Sequence, residues 1–181
     1  MFESSCNGAF EDELWDGLTE IVFRRVHKDD QSIAWKMWHC SRIEDITMNI
    51  LAAGEPQVFN TGSWFEKMGV AARDTGNAMN EEEIRALSES IDMHALRGYR
   101  MEVGRKTRSI IKSLLPEELK QKIEPSRLQT VLSEGAVAEE SKWLLDYWGK
   151  KTKAGLLLMP ATRHIFVHLN ESTRIKEKES R

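Results

Sequence analysis

The sequence predicts an all-α protein, a four-helix bundle with long crossover connections and extra short helices. Three observations carry this. Apolar residues recur at three- and four-residue spacing along several stretches, which lines one face of a helix. Strict alternation of apolar and polar residues, the mark of a half-buried strand, is not sustained, and Tyr, a good strand former, occurs only 2 times. Capping and breaking residues cut the apolar stretches into helical lengths.

In chain order, a first helix is expected from about Phe10 to Val26, with Leu14, Leu18, Ile21, Val22 and Arg25 on one face. Ser32 can cap a second, whose stripe reads Trp35, Trp38, Ile43, Ile46 and Ile50 before Gly54 and Pro56 stop it. The stretch from Glu55 to Asn80 is rich in turn formers and reads as a long crossover, with Trp64-Phe65-Glu66 a short helical turn inside it. Asn80 with Glu83 resembles a capping box and starts a short helix to about Ser88. Asp92 caps a longer one that ends at Leu115, because Pro116 disfavours helical geometry in the residue before it. Short helices are expected over Glu117 to Lys122 and Ser126 to Glu134, and an amphipathic one over Ala138 to Lys150. The last long helix starts either near Thr152, with Pro160 as a kink, or at Pro160, where the missing N–H is harmless; the second start is preferred. It runs to about Lys178, within a charged tail from Lys176 to Arg181.

Length and composition bound the function. A chain of 181 residues suits a single domain over 1–181, and 40% hydrophobic residues suffice for a core. Lys and Arg total 26 against 29 Asp and Glu, a net charge of -3 that offers no general attraction to nucleic acid or acidic lipid. Cys6 and Cys40 are too few for a disulfide scaffold and read as free thiols in a reducing compartment. Met1 to Phe10 lacks a basic, apolar leader, and the longest uncharged apolar run, Ala154 to Thr162, is about half of a membrane span, so a cytoplasmic protein without membrane contact is expected.

His164 and His168 stand four apart, so on a helix their rings leave one face a turn apart and can converge on one cation. They lie on a stripe with Leu157, Ala161, Glu171 and Ile175, and His39 lies on a stripe with Ile43, Ile46 and Ile50, which turns all three imidazoles inward. Three neutral imidazoles would leave a coordination position open on a zinc-like ion. The alternative is that each is a core histidine bonded to a carbonyl or carboxylate.

The run Trp38-His39-Cys40-Ser41-Arg42-Ile43-Glu44-Asp45-Ile46-Thr47, with Leu158-Met159-Pro160-Ala161-Thr162-Arg163-His164-Ile165-Phe166-Val167-His168-Leu169-Asn170-Glu171, resembles the DinB/YfiT-like superfamily of bacterial metalloenzymes. The likeness extends through Trp143 to Trp148 and Tyr99 to Thr107 and covers about Ser32 to Lys176. It implies a four-helix bundle of DinB/YfiT type and a divalent ion, Zn²⁺ or Ni²⁺, held by one histidine of the second helix and an H-x-x-x-H pair of the fourth. These positions fall on His39, His164 and His168. It further implies an enzyme of the thiol S-transferase or hydrolase kind acting on a small molecule, with a low-molecular-weight thiol as one class of partner, and homodimers. The rival is a non-catalytic bundle, with the ion a structural clip or absent, serving as a stress-response or interaction protein.

Around these ligands, Glu171 is the candidate to orient His168 or act as a base. Arg42 and Arg163 are candidates to bind an anionic substrate tail, and Trp64, with Phe65, to close over the ion. Cys40 neighbours a ligand in sequence only, since adjacent helical residues point about 100° apart. The basic series Arg97, Arg100, Arg105, Lys106, Arg108 and Lys112 has no interleaved aromatic platform and reads as a solvated face.

Overall fold

A computed structural model describes residues 9–27 and 31–179. Residues 1–8, with the expected leaderless start and Cys6, and residues 180–181 of the tail lie outside the described residues. The fold is all-α: among the described residues no β-strand forms, and Lys122 meets Thr152 in an isolated bridge. No helix among them is long and apolar enough to cross a membrane.

The expected first helix is broken in two, α1 (Ala9–Trp15) and α2 (Glu20–Arg24). Asp16-Gly17 is a turn pair, and Gly17 takes φ +64°, a left-handed conformation that costs glycine nothing. Thr19 then caps α2, its side chain accepting from the Val22 amide at 3.4 Å. The break buries Leu14 and Leu18 together but turns Ile21, expected on the apolar face, out to 70% exposure. From the far end of the chain, the Lys176 ammonium donates to the Glu13 carbonyl at 2.6 Å and to that of Asp16, satisfying carbonyls the α1 terminus leaves open.

The second helix follows its caps. Ser32 Oγ accepts from the Trp35 amide at 2.9 Å and starts α3 (Ile33–Asp45), which runs on as a π-helical stretch, Ile46–Ala53, until Gly54 at φ +73°. Every residue of α3 is buried, which makes it the central rod. Around it pack α2, α6 (Glu81–Ser90), α7 (Met93–Ser113) and the last helix. The Asn80–Glu83 capping box is present at the start of α6, and the Asp92 carboxylate accepts from the Ala95 amide at 2.7 Å at the start of α7.

In the crossover lie α4 (Val58–Thr61) and α5 (Trp64–Met68). Its anchor is Asp45, which is fully buried and accepts from the amides of Val58 and Phe59, both at 2.9 Å, from Asn49 Nδ2 at 2.7 Å and from the Tyr99 hydroxyl at 2.7 Å. Beyond α7 come a 3₁₀ turn at Glu118–Lys120, then α8 (Pro125–Ser133), a second 3₁₀ turn at Glu139–Ser141, and α9 (Trp143–Gly149). The single helix expected over Ala138 to Lys150 is thus a 3₁₀ turn plus a shorter helix. Trp148 is buried, whereas Trp143 is 57% exposed.

The preferred start of the last helix at Pro160 is overturned. Thr152 caps α10 (Lys153–Leu158), a π-helical stretch covers Met159–Arg163, and α11 (His164–Glu179) follows without a break. Proline removes an amide donor and crowds the carbonyl of the preceding turn, and a wider π turn relieves both. Within this stretch the Thr162 hydroxyl donates to the Leu158 carbonyl at 2.6 Å. Two apolar clusters result, one around Trp38, Phe59 and Tyr99, the other around Ile46, Met48 and Trp148, and α3 with its π extension passes through both. Fully burying one large apolar side chain contributes about 1.5–3 kcal/mol.

Candidate metal centre

His39, on the middle turn of α3, and His164 and His168, on the first two turns of α11, meet where these helices pack. Their ring centroids form a triangle with sides of 4.9 Å (39 to 164), 5.3 Å (39 to 168) and 4.7 Å (164 to 168). One nitrogen from each ring falls within 4.8 Å of the others. His39 is 4% exposed, and the other two are partly open to solvent. The Trp35 ring, one turn before His39, lies flat against it at 4.5 Å and 10° and meets His168 edge-on at 6.3 Å.

The hydrogen bonds assign the ring protons. His39 Nδ1 lies 2.6 Å from the Thr75 carbonyl, which only accepts, so Nδ1 carries the proton and Nε2 a lone pair. His168 Nδ1 lies 2.8 Å from Glu171 Oε2, which by the same reasoning makes Nδ1 the donor and turns Nε2 toward the other two rings. Nε2 of His39 and Nε2 of His164 are 3.1 Å apart, so His164 is the donor between them, and its Nδ1 is buried without a partner. Burial, with His164 beside it, pulls the His39 ring down from 6.5 to about 3. Burial and His168 pull His164 to about 4. Both rings are therefore neutral at pH 7, as ligation requires.

This donor set fits a divalent cation. Two nitrogens at about 2.0–2.1 Å from a tetrahedral ion stand about 3.3 Å apart, close to the 3.1 Å between His39 and His164. Two of the rings already hold their outer nitrogens on a carbonyl and a carboxylate, the arrangement that orients metal-binding histidines. To join them, His164 has only to move its proton from Nε2 to Nδ1.

Of the other expected site residues, Glu171 is in place beside His168. Its carboxyl is pushed up by burial, but hydrogen bonds and charge from Lys36 and His168 outweigh this and hold it below the usual carboxylate range. Arg42 is a correction. It is 1% exposed, donates to the Tyr99 hydroxyl at 2.9 Å, Gln57 Oε1 at 2.6 Å and the Arg73 carbonyl at 2.7 Å, and lies 4.1 Å over the Phe59 ring, so its guanidinium is buried and engaged in tying the crossover to the core. Trp64 does not close over the histidines: it packs on Tyr99 and against Gly98 of α7, and the ring that covers the imidazoles is Trp35. Arg163 is exposed, one residue before His164. Cys40 is buried and free, with its thiol pushed up by burial. Arg100 of the basic series is buried on Glu44 at 2.5 Å, which removes it from any solvated face.

Two participants escaped sequence reasoning. Thr75 acts through its main-chain carbonyl and so leaves no mark in the sequence. Lys36 is 1% exposed, and its ammonium donates to Glu171 Oε2 at 2.9 Å and to Gln31 Oε1 at 3.2 Å. Its place three residues before His39, on the same side of the helix, carries no signal by itself, because α3 also bears Arg42, Glu44 and Asp45. Surface grooves of about 770 Å³ along α1 and α7 and about 740 Å³ between the 71–90 region and Ala138 have other linings than the three histidines. No family model matches the chain, and no curated protein matches it.

Proposed function

We propose that His39, His164 and His168 bind one divalent cation, Zn²⁺ or Ni²⁺, and that the protein is a metal-dependent enzyme of the thiol S-transferase or hydrolase kind on a DinB/YfiT-like four-helix bundle. The observation that carries this is the convergence of three imidazoles, two with their outer nitrogens already held and two, His39 and His164, kept neutral by burial. Such an ion supplies Lewis acidity, lowering the pKa of a thiol or water so that thiolate or hydroxide meets a small electrophile at neutral pH. The chain's part is to hold the ligands and shield them. Trp35 and Thr75 cover His39 from the buried side, while the partial exposure of His164 and His168 leaves the opposite side for a small molecule. With no carboxylate among the three ligands the centre keeps the full charge of the ion, which favours an anionic partner such as a low-molecular-weight thiolate. Glu171, held by Lys36 and His168, orients His168. Arg163, exposed beside His164, remains available to an anionic tail of the substrate.

A second reading, a structural ion that clips α3 to α11 without catalysis, draws on the burial of His39 beneath Trp35. Metal analysis of the purified protein beside a His164→Ala, His168→Ala double variant tests the centre. Near-stoichiometric divalent metal in the wild type and less than a tenth of that in the variant are expected, and equal contents would refute it. Turnover in a screen of thiols with electrophiles and of esters separates the enzyme from the clip, and size-exclusion chromatography with light scattering tests the homodimer.

A further inference from the structure

A buried ammonium is expensive. Taking a charge out of water costs several kcal/mol, and a buried ion pair often stabilises a fold less than well-packed apolar residues of the same volume. Lys36 nevertheless sits inside the α3–α11 contact at 1% exposure. One turn ahead of His39 on α3, it reaches across to α11 and donates to Glu171 Oε2 at 2.9 Å. The same oxygen accepts His168 Nδ1–H at 2.8 Å. The Glu171 side chain is itself 36% exposed, and a partly solvated glutamate has several rotamers open to it. Only one of these keeps Oε2 on the imidazole, and the ammonium selects it.

We infer that Lys36 is a positioning residue of the metal centre: through Glu171 it fixes the tautomer and ring orientation of His168, so that the His168 Nε2 lone pair meets those of the residues ligating from α3 and α11. The inference rests on the proposed metal site and adds to it a residue that acts through Glu171. The chain Lys36 to Glu171 to His168 also joins the two helices that carry the ligands, which couples helix packing to ring orientation.

Two measurements on the full-length chain test it. Zn²⁺ affinity, read by competition with a chromophoric chelator, is expected to fall about 10- to 100-fold in Lys36→Met and in Glu171→Gln. Because the two act through one chain, the double variant should lose little more than either single one. Single variants within about twofold of wild type, or losses that multiply in the double variant, overturn the role. The second measurement needs no metal: ¹⁵N chemical shifts of His168 in the chelator-treated protein should show the Nδ1–H tautomer in wild type and a mixture of tautomers in Lys36→Met. An unchanged tautomer in a folded Lys36→Met protein overturns the inference. If the wild type binds no Zn²⁺ but the tautomer shifts as expected, the metal reading fails and the positioning role stands.

Discussion

At His39 three constraints act on one ring: a carbonyl on Nδ1, an indole face against the plane, and a second imidazole on Nε2. Burial and the neighbouring His164 favour the neutral form and outweigh the Thr75 carbonyl, which favours the protonated one, and the pH dependence follows from that balance. In the unfolded chain the histidines protonate near 6.5, whereas in the folded, metal-free protein His39 does so near 3 and His164 near 4. Between these limits the unfolded state binds more protons, so their contribution to stability is complete above pH 6.5 and is lost as the pH falls toward 4. Melting in the presence of a chelator at pH 7.5 and pH 4.5 should show a smaller fall in Tm for a His39→Leu, His164→Leu variant than for wild type; parallel falls would contradict the burial argument. Cys40 provides an independent check of the same core. It is 1% exposed, so in a Cys6→Ser background Ellman's reagent should find no reactive thiol until denaturant is added. The meeting of the three histidines was legible, because four-residue spacing and the stripe around each histidine are statements about helix faces. Thr75 was not, since a main-chain carbonyl is the same in every residue, and Lys36 reads as a surface charge until the burial of all of α3 is known.

Among the elements, the starts were legible wherever a side-chain oxygen caps a helix: Ser32, Asn80 with Glu83, and Asp92 all do what their chemistry predicts. Interruptions were harder to see. The periodicity across Asp16-Gly17 looks helical because both halves bury residues in the same cluster, and a period cannot report a turn that preserves it. Asp45 shows the weight that one such residue carries. Asp45→Ala would strip the acceptor from the Val58 and Phe59 amides and from the Tyr99 hydroxyl, and would leave the buried Arg42 without its carboxylate at 3.4 Å. A loss of about 3–5 kcal/mol is expected, read as a collapse of the denaturant midpoint, with the crossover the first segment to lose amide protection in hydrogen exchange. Gly104 in α7 behaves in the opposite way. A Cβ there would come no closer than 3.9 Å to Arg100, so Gly104→Ala should gain about 0.5–1 kcal/mol and raise Tm by a few degrees.

For the molecule as a whole, the proposed ion would bridge the central rod to the last helix and so act on global stability. A ligand that binds only the folded state adds about 2.7 kcal/mol at 100 times its Kd, or roughly 5–10 °C in a chain of this size. Zn²⁺ should therefore raise Tm by that amount, EDTA should reverse it, and the His164→Ala, His168→Ala protein should not respond. The π turn at Met159–Arg163 bears on this bridge in a further way. A π turn holds one residue more than the α turn it replaces, and one residue is about 100° of helical phase. Shortening the chain by a single amino acid between Leu158 and His164 would leave two sound helices whose imidazole pair is dialled a quarter turn off its mark. The extra residue beside Pro160 thus works like a vernier, setting the azimuth of the C-terminal rod against the central one.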